Sequence, residues 1–245
     1  MSALQYIEVL NSILKRAVET QTDLLLQVAA RMADVIANDH LVYVFGAGHA
    51  GILAEELFYR AGGLAPLVPI FAPGLTLNTH PITLETALER LSGYARLLLD
   101  ASGVAAGDML IVHSNSGRNT VAIEMAEEAQ GRGVCVVALT SRAHSLSVPS
   151  RHPRGLRLMD VADYVIDNCG EPGDAAVALP GMKQRVGATS TVVGAALLNA
   201  VVVETTRLLL ARGVEPPVTL SANLENSEEH NRRIWERYRG RLHYL

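Results

Sequence analysis

Apolar residues recur at helical spacing through the first 37 positions: Leu4, Ile7, Leu10, Leu14 and Val18, then Leu25, Val28, Met32 and Ile36. That spacing puts them on one stripe of a helix over residues 3–37, continuous or joined near Thr20–Asp23. The pattern then changes to short, continuous apolar runs, as expected for strands buried on both faces. These are Leu41–Phe45, Leu67–Ala72, Asp108–His113, Val134–Thr140 and Asp163–Asp167. Pro69 inside the second run removes a ladder donor and assigns it to an edge or a bulge. Helical segments are expected at Ile52–Ala61, Pro81–Leu99 and Thr120–Gln130, followed by a long apolar helix Ala188–Leu210 and a tail helix Asn226–Arg239.

Strands separated by helices imply right-handed crossovers and a parallel sheet covered on both sides. The expected fold is therefore α/β: three layers, a doubly wound five-stranded parallel sheet, a long N-terminal helix and a helical C-terminal tail. No repeat or linker interrupts it, so residues 1–245 read as a single domain. Its core covers about 30–210, with a helical arm 1–37 and a tail 212–245. In such sheets ligands bind beyond the carboxyl ends of the strands. The loops after Phe45, Ala72, His113, Thr140 and Asp167 are the places to seek chemistry.

Composition narrows the classes. Of 245 residues 49% are hydrophobic, and the net charge is only -4, which excludes a disordered chain. No run approaches ~18 uninterrupted apolar residues, so no membrane span is expected. The first 20 residues carry Glu8, Lys15 and Arg16 and lack an apolar leader core, so a cytoplasmic location is expected. Cys135 and Cys169 lie in strand-like runs and read as buried free thiols. Lys15 and Lys183 are the only lysines, and Gly-Lys-Ser/Thr is absent, which excludes a Walker phosphate loop. Basic residues are scattered except in Arg232–Arg241, where acids accompany them, so no nucleic-acid partner is expected. His40 and His243 read as surface residues.

The first loop, Gly46-Ala47-Gly48-His49-Ala50-Gly51, fits the dinucleotide fingerprint in form. That fingerprint also needs an acid about 20 residues on to hold the ribose. Pro66–Pro81 contain neither an acid nor an Arg, so no redox cofactor is expected. Gly46 and Gly48 instead let backbone approach a ligand closely. The third loop, Ser114-Asn115-Ser116-Gly117-Arg118-Asn119, places hydroxyls, amides and a glycine between a buried strand and a helix start. Backbone N–H groups and the helix dipole favour an anion there, and these side chains would complete a phosphate cradle. Thr140, Ser141, His144 and Ser145 repeat the theme after the fourth strand. Thr189, Ser190 and Thr191 do so at the start of the long helix. Each of these clusters serves equally as ordinary helix capping.

The segments VYVFGAGHAGILAEELFYRAGG, HSNSGRN, VVALTSRAHS and VGATSTVVGAALLNA, in that order over residues 30–210, together resemble the sugar isomerase (SIS) domain family. The resemblance implies a five-stranded parallel fold, a phosphorylated sugar as ligand, and a homodimer or homotetramer. It assigns phosphate binding to Ser114, Ser116 and Asn119. Phosphoheptose isomerase, a more distant relative, carries a catalytic Glu in an Ala-Glu-Glu-Leu run. That run matches Ala54–Leu57 and points to Glu56. The same relative places a His in the late helix, whereas residues 188–210 contain none, and no metal site is expected.

Aldose–ketose isomerisation needs a group that protonates the ring oxygen and a base that carries a proton between adjacent carbons. Histidine, with a pKa near ~6.5, suits the first task. A glutamate raised toward neutrality by burial suits the second. Glu56 and Glu85 are the candidate bases, and His49, His80 and His230 the candidate acids. The expected activity is a sugar-phosphate isomerase without cofactor. A non-catalytic phosphosugar sensor and a phosphosugar lyase are the alternatives.

Overall fold

The computed structural model describes residues 2–242 and 244; His243 lies outside them. The N-terminal stripe forms one unbroken helix, α1 (Ser2–Ala37), with no joint near Thr20. β1 (Val42–Gly46) follows, then a single 3-10 turn at Gly48–Gly51 and α2 (Ile52–Leu57). α2 is shorter than the expected Ile52–Ala61, because Phe58 is extended and Tyr59 takes a positive φ of 46°. β2 is Leu67–Pro69. The expected helix Pro81–Leu99 is two pieces, α3 (Thr83–Leu88) and α4 (Tyr94–Ser102). Gly93, at φ 82°, breaks it in a conformation that only glycine adopts without strain.

β3 (Met109–His113), α5 (Thr120–Gly131) and β4 (Cys135–Thr140) match their runs. Two short helices, α6 (Arg142–Ser147) and α7 (Leu158–Val161), precede β5 (Tyr164–Asp167). β6 (Ala175–Ala178) and β7 (Arg185–Ala188) pair antiparallel in the Gly/Pro-rich segment, where no strand was expected. α8 (Ser190–Ala211) therefore starts two residues later than expected, and α9 (Ser227–Tyr238) closes the tail.

The main sheet has the order β2-β1-β3-β4-β5, all parallel. β2 with its Pro69 is an edge strand, as its chemistry requires. Alternate strand residues face opposite helix layers. Val42 and Val44 join α1, α2 and α8 in one core. Tyr43 and Phe45 join α4 and α5 in the other. Each large apolar side chain so buried contributes roughly 1.5–3 kcal/mol. α8 is long and apolar enough to cross a membrane. Here Val193, Leu197, Leu198, Val201, Val202 and Leu209 are buried in the core shared with α1, so it acts as a core helix. Neither thiol is disulfide-bonded and both are half-buried, but Cys169 sits in the loop after β5 and not in a strand.

Strand order reverses between β1 and β3, so their crossovers leave in opposite directions and a crevice opens at their carboxyl ends. The loops that border it begin at Gly46 and His113, which are aligned partners in the sheet.

Candidate functional site

At this crevice the β3–α5 loop is folded by its own backbone. The Gly117 N–H donates to the Ser114 carbonyl at 3.1 Å and to its hydroxyl at 3.2 Å, closing a tight turn. Gly117 has φ 56° and is buried against Thr140 and Ser145, so a side chain there would be strained and crowded. The turn points the chain into α5. Asn119 caps α5 only by its backbone, and its side chain makes no cap. Among the described residues, the N–H groups of Ser116, Arg118 and Asn119 have no acceptor, and the Ser116 hydroxyl has no partner. These are the donors an anion at a helix N-terminus would take.

Four other residues found by sequence, Thr140, Ser141, Thr189 and Ser190, have hydroxyls committed to protein partners. The Asn115 carbonyl accepts from the Ser141 N–H and the Thr140 hydroxyl, and its side-chain oxygen accepts from Asn168. Ser141 donates to the Gly170 carbonyl at 2.7 Å and accepts from the His144 N–H, capping α6. Thr189 and Ser190 surround the Asp174 carboxylate, which accepts from both backbone N–H groups and both hydroxyls. The Ser145 hydroxyl is buried beside Gly117 and has no partner among the described residues.

The acids part company. Glu56 is paired with Arg60 one turn on and accepts from the Asn199 side chain of α8 at 3.2 Å. Glu85 on α3 instead reaches into the crevice: its Oε1 lies 3.0 Å from where a Cβ on Gly48 would stand. Gly48 takes φ 58°, which favours glycine, and a Cβ there would press on the carboxylate. Partial burial is the largest influence on Glu85 and raises its pKa; Thr86, His49 and Arg90 offset part of the rise. One turn later Glu89 bonds Asn119, and its carbonyl accepts the Val121 N–H at 3.1 Å. Burial first, then the Glu85 charge, raises Glu89 as well. The end of α3 thus leans on the start of α5, bringing two acids with raised pKa to the edge of the cradle.

Three guanidiniums share that edge. Arg151 donates to the Asn119 side-chain oxygen at 2.8 Å. Its pKa is lowered, mostly by desolvation and also by Arg118 and Arg90. None of the three forms an ion pair among the described residues, and the Arg118 Nε is buried without a partner. Glu89 offsets part of this positive charge at a distance, and the guanidinium of Arg118 is left to favour an anionic ligand.

The histidines are spread out. His49 is exposed on the 3-10 turn and close enough to Glu85 to lower its pKa. His80 is exposed just ahead of α3. His230 is half-buried on α9, its Nε2 2.9 Å from the Val218 carbonyl oxygen. Sequence reasoning passed over His113, which ends β3 directly beneath the crevice. It is fully buried, with Nδ1 3.0 Å from the Ala50 carbonyl oxygen and Nε2 unpartnered. Burial lowers its pKa to about 4 against the opposing pull of Ala50 and Asp174, so the ring is neutral at neutral pH. Glu89, Arg118 and Arg151 were also missed. Glu89 was visible as the i+4 neighbour of Glu85 on one helix face. Arg151 comes from a distant loop and gave no signal.

Residues 5–141 match a family described as the SIS domain. A UPF0309 protein of Shouchella clausii is 46% identical over 241 residues, covering 98% of each chain. A UPF0309 protein of Oceanobacillus iheyensis is 43% identical over 98% of this chain and 96% of its own. Among solved structures, phosphoheptose isomerase of Neisseria gonorrhoeae shares the fold, with TM-score 0.54 and 20% identity, over 84% of this chain and 97% of its own. The NanR protein of Vibrio vulnificus, solved with ManNAc-6P, matches with TM-score 0.52 and 17% identity, over 97% of this chain and 69% of its own.

Proposed function

The chain belongs to the SIS domain family, and we propose that it binds a phosphorylated sugar at the β3–α5 loop and interconverts its aldose and ketose forms. The observation that carries this reading is the Glu85 carboxyl held over Gly48, beside His49 and one turn from the Glu89–Asn119 bond. It puts a base of raised pKa next to a histidine at the edge of an anion cradle.

In this mechanism the phosphate takes the free N–H groups of Ser116, Arg118 and Asn119 and the hydroxyls of Ser114 and Ser116. The arginines Arg118 and Arg151 balance its charge. His49 gives a proton to the ring oxygen as the sugar opens and takes the one released by the anomeric hydroxyl. Glu85 removes the proton from the carbon beside the carbonyl and returns it to the neighbouring carbon, while His49 carries the hydroxyl proton to the former carbonyl oxygen. Burial raises both carboxyls, which strengthens Glu85 as a base. In this reading Asn115, Thr140, Ser141, Thr189 and Ser190 build the walls, and Glu56 positions α2 against α8.

The test is a thermal-shift and turnover screen against aldose and ketose phosphates of five to seven carbons. A ligand at 100 times its Kd should stabilise the fold by about 2.7 kcal/mol. Isomerase activity that survives in Glu85→Gln would remove Glu85 from the mechanism. The second reading, a phosphosugar-binding module without chemistry, is favoured by one observation. Glu56, the acid matching the phosphoheptose isomerase pattern, is occupied by Arg60 and Asn199. Binding without turnover of any panel member would establish that reading instead.

A cytoplasmic homo-oligomer, folded as one domain, is part of the proposal. Leu4 and Ile7 of α1 and Val192, Val203 and Leu210 of α8 stay exposed, Val203 at 70%. Light scattering is expected to give a mass that is a multiple of 26.3 kDa.

A further inference from the structure

A cavity of about 670 Å³ opens elsewhere on the molecule, and no residue of the β3–α5 loop lines it. It lies between the end of α2 and one face of α9. Tyr59, Arg60, Ser227, Arg232, Trp235 and Arg239 line it. Two features mark it. Tyr59 is 67% exposed and sits at φ 46°, an uncommon and costly conformation for an aromatic residue. That backbone lays the Tyr59 ring on Trp235, with centroids 5.2 Å apart and planes at 25°.

We infer that this cavity is a second ligand site, and that its ligand is a nucleoside phosphate. The size suits such a molecule, since pockets for small ligands run to about 300–1,000 Å³. The Tyr59–Trp235 pair offers aromatic area on which a base can stack. Arg232 and Arg239 carry no ion pair among the described residues and are free for the phosphate. Glu228 and Glu236, on the same wall, accept from ribose hydroxyls or an exocyclic amino group. A plain sugar phosphate has no aromatic ring to stack on the pair, and a nucleobase has, which separates this ligand from the one proposed for the cradle. Arg60 joins this wall to Glu56, and through it to Asn199 on α8, so occupancy here touches a core helix.

Trp235 is the only tryptophan in the chain, so its fluorescence reports this cavity alone. The full-length protein is titrated with AMP, GMP and UMP, and with ribose 5-phosphate and inorganic phosphate as controls. A saturable change is expected with at least one nucleotide and with neither control. The double variant Arg232→Ala, Arg239→Ala, on the protein surface, is expected to raise Kd by at least about tenfold. Its thermal midpoint without ligand is expected to be unchanged. No saturable change up to millimolar nucleotide overturns the inference, and so does an equal response to ribose 5-phosphate. A Trp235 shielded from acrylamide in the ligand-free oligomer, and freed when the double variant dissociates, would show that a second copy fills the cavity, and would overturn it too.

Discussion

Two polar clusters of similar composition flank the carboxyl edge of the sheet, and they have opposite fates. At the start of α8, the Asp174 carboxylate accepts four hydrogen bonds from Thr189 and Ser190, while Ser141 is shared between Gly170 and His144. That cluster is closed: its donors and acceptors satisfy one another. In the β3–α5 loop Ser116, Arg118 and three backbone N–H groups are left over, with Glu85 and Glu89 beside them. That cluster is open. Both are rich in hydroxyls, so what distinguishes them is unspent hydrogen-bonding capacity.

The comparison breaks most visibly at Glu85. Glu85→Gln keeps the shape and removes the base, so turnover of the preferred sugar phosphate is expected to fall 10²- to 10⁴-fold, about 3–5 kcal/mol of barrier. Its binding should change little. Glu56→Gln, at the acid already paired with Arg60, should change turnover far less. Steady-state kinetics on both variants decides this, and the reverse ranking would return the base role to Glu56.

The next effect belongs to His113, which lies between the two clusters and whose pKa is lowered to about 4 by burial. Above pH ~6.5 neither the folded nor the unfolded state holds its proton, and the residue contributes no pH dependence. As pH falls from ~6.5 to about 4, the unfolded chain takes a proton that the folded ring refuses. Stability is therefore lost over that window and levels off below it. The difference between wild type and His113→Gln, followed by denaturant unfolding, is expected to change by on the order of 3 kcal/mol between pH 7.5 and 4. A flat difference would mean that the ring is solvated.

Much of this was legible in the residues. Continuous apolar runs marked all five parallel strands, and Pro69 marked the edge. The β3–α5 loop stood out because one helix cap does not require Ser114, Asn115, Ser116 and Asn119 together. What stayed hidden was partnership. Nothing local says that Thr189 and Ser190 serve Asp174, because the bond depends on Asp174 closing back from 15 or 16 residues away. The β6–β7 hairpin was lost among glycines and prolines, and the break at Gly93 was masked by apolar periodicity on both sides. Arg151 meets Asn119 across 32 residues, a contact that no local pattern announces. Glu85 was flagged by its place after the second strand, but its approach to Gly48 is a tertiary contact.

A third effect sharpens the closed side. Asp174 takes a positive φ of 62°, which Asn tolerates equally, so Asp174→Asn changes charge and hydrogen bonding without new backbone strain. It loses a charged acceptor at the start of α8 and should destabilise the fold by about 1–2 kcal/mol. Sugar-phosphate affinity measured by calorimetry should be unaltered. A loss of affinity without a loss of stability would place Asp174 in the binding site, and the two clusters would no longer be distinct in kind.

The smallest effect is the most discriminating, because it sets one hydroxyl against another. The Ser116 hydroxyl has no partner among the described residues, whereas the Ser141 hydroxyl is fully buried and makes two hydrogen bonds. Removing a hydroxyl that nothing in the folded chain uses leaves no group orphaned, so Ser116→Ala should shift stability by less than about 0.5 kcal/mol. If a phosphate oxygen is its partner, the lost bond costs about 1 kcal/mol of affinity, roughly a fivefold rise in Kd. Ser141→Ala leaves the Gly170 carbonyl and the His144 N–H without their partner, at about 1–3 kcal/mol of stability. Its Kd should stay near that of wild type once measured below the lowered unfolding midpoint. Both variants are read in one thermal-shift series with and without the sugar phosphate. Ser116→Ala should reduce only the ligand-induced shift, and Ser141→Ala only the baseline. If instead both move the baseline, Ser116 is a structural cap like Ser141 and the cradle is smaller than drawn here. If neither does, the hydroxyls are incidental, and the backbone N–H groups of α5 with Arg118 carry the anion by themselves.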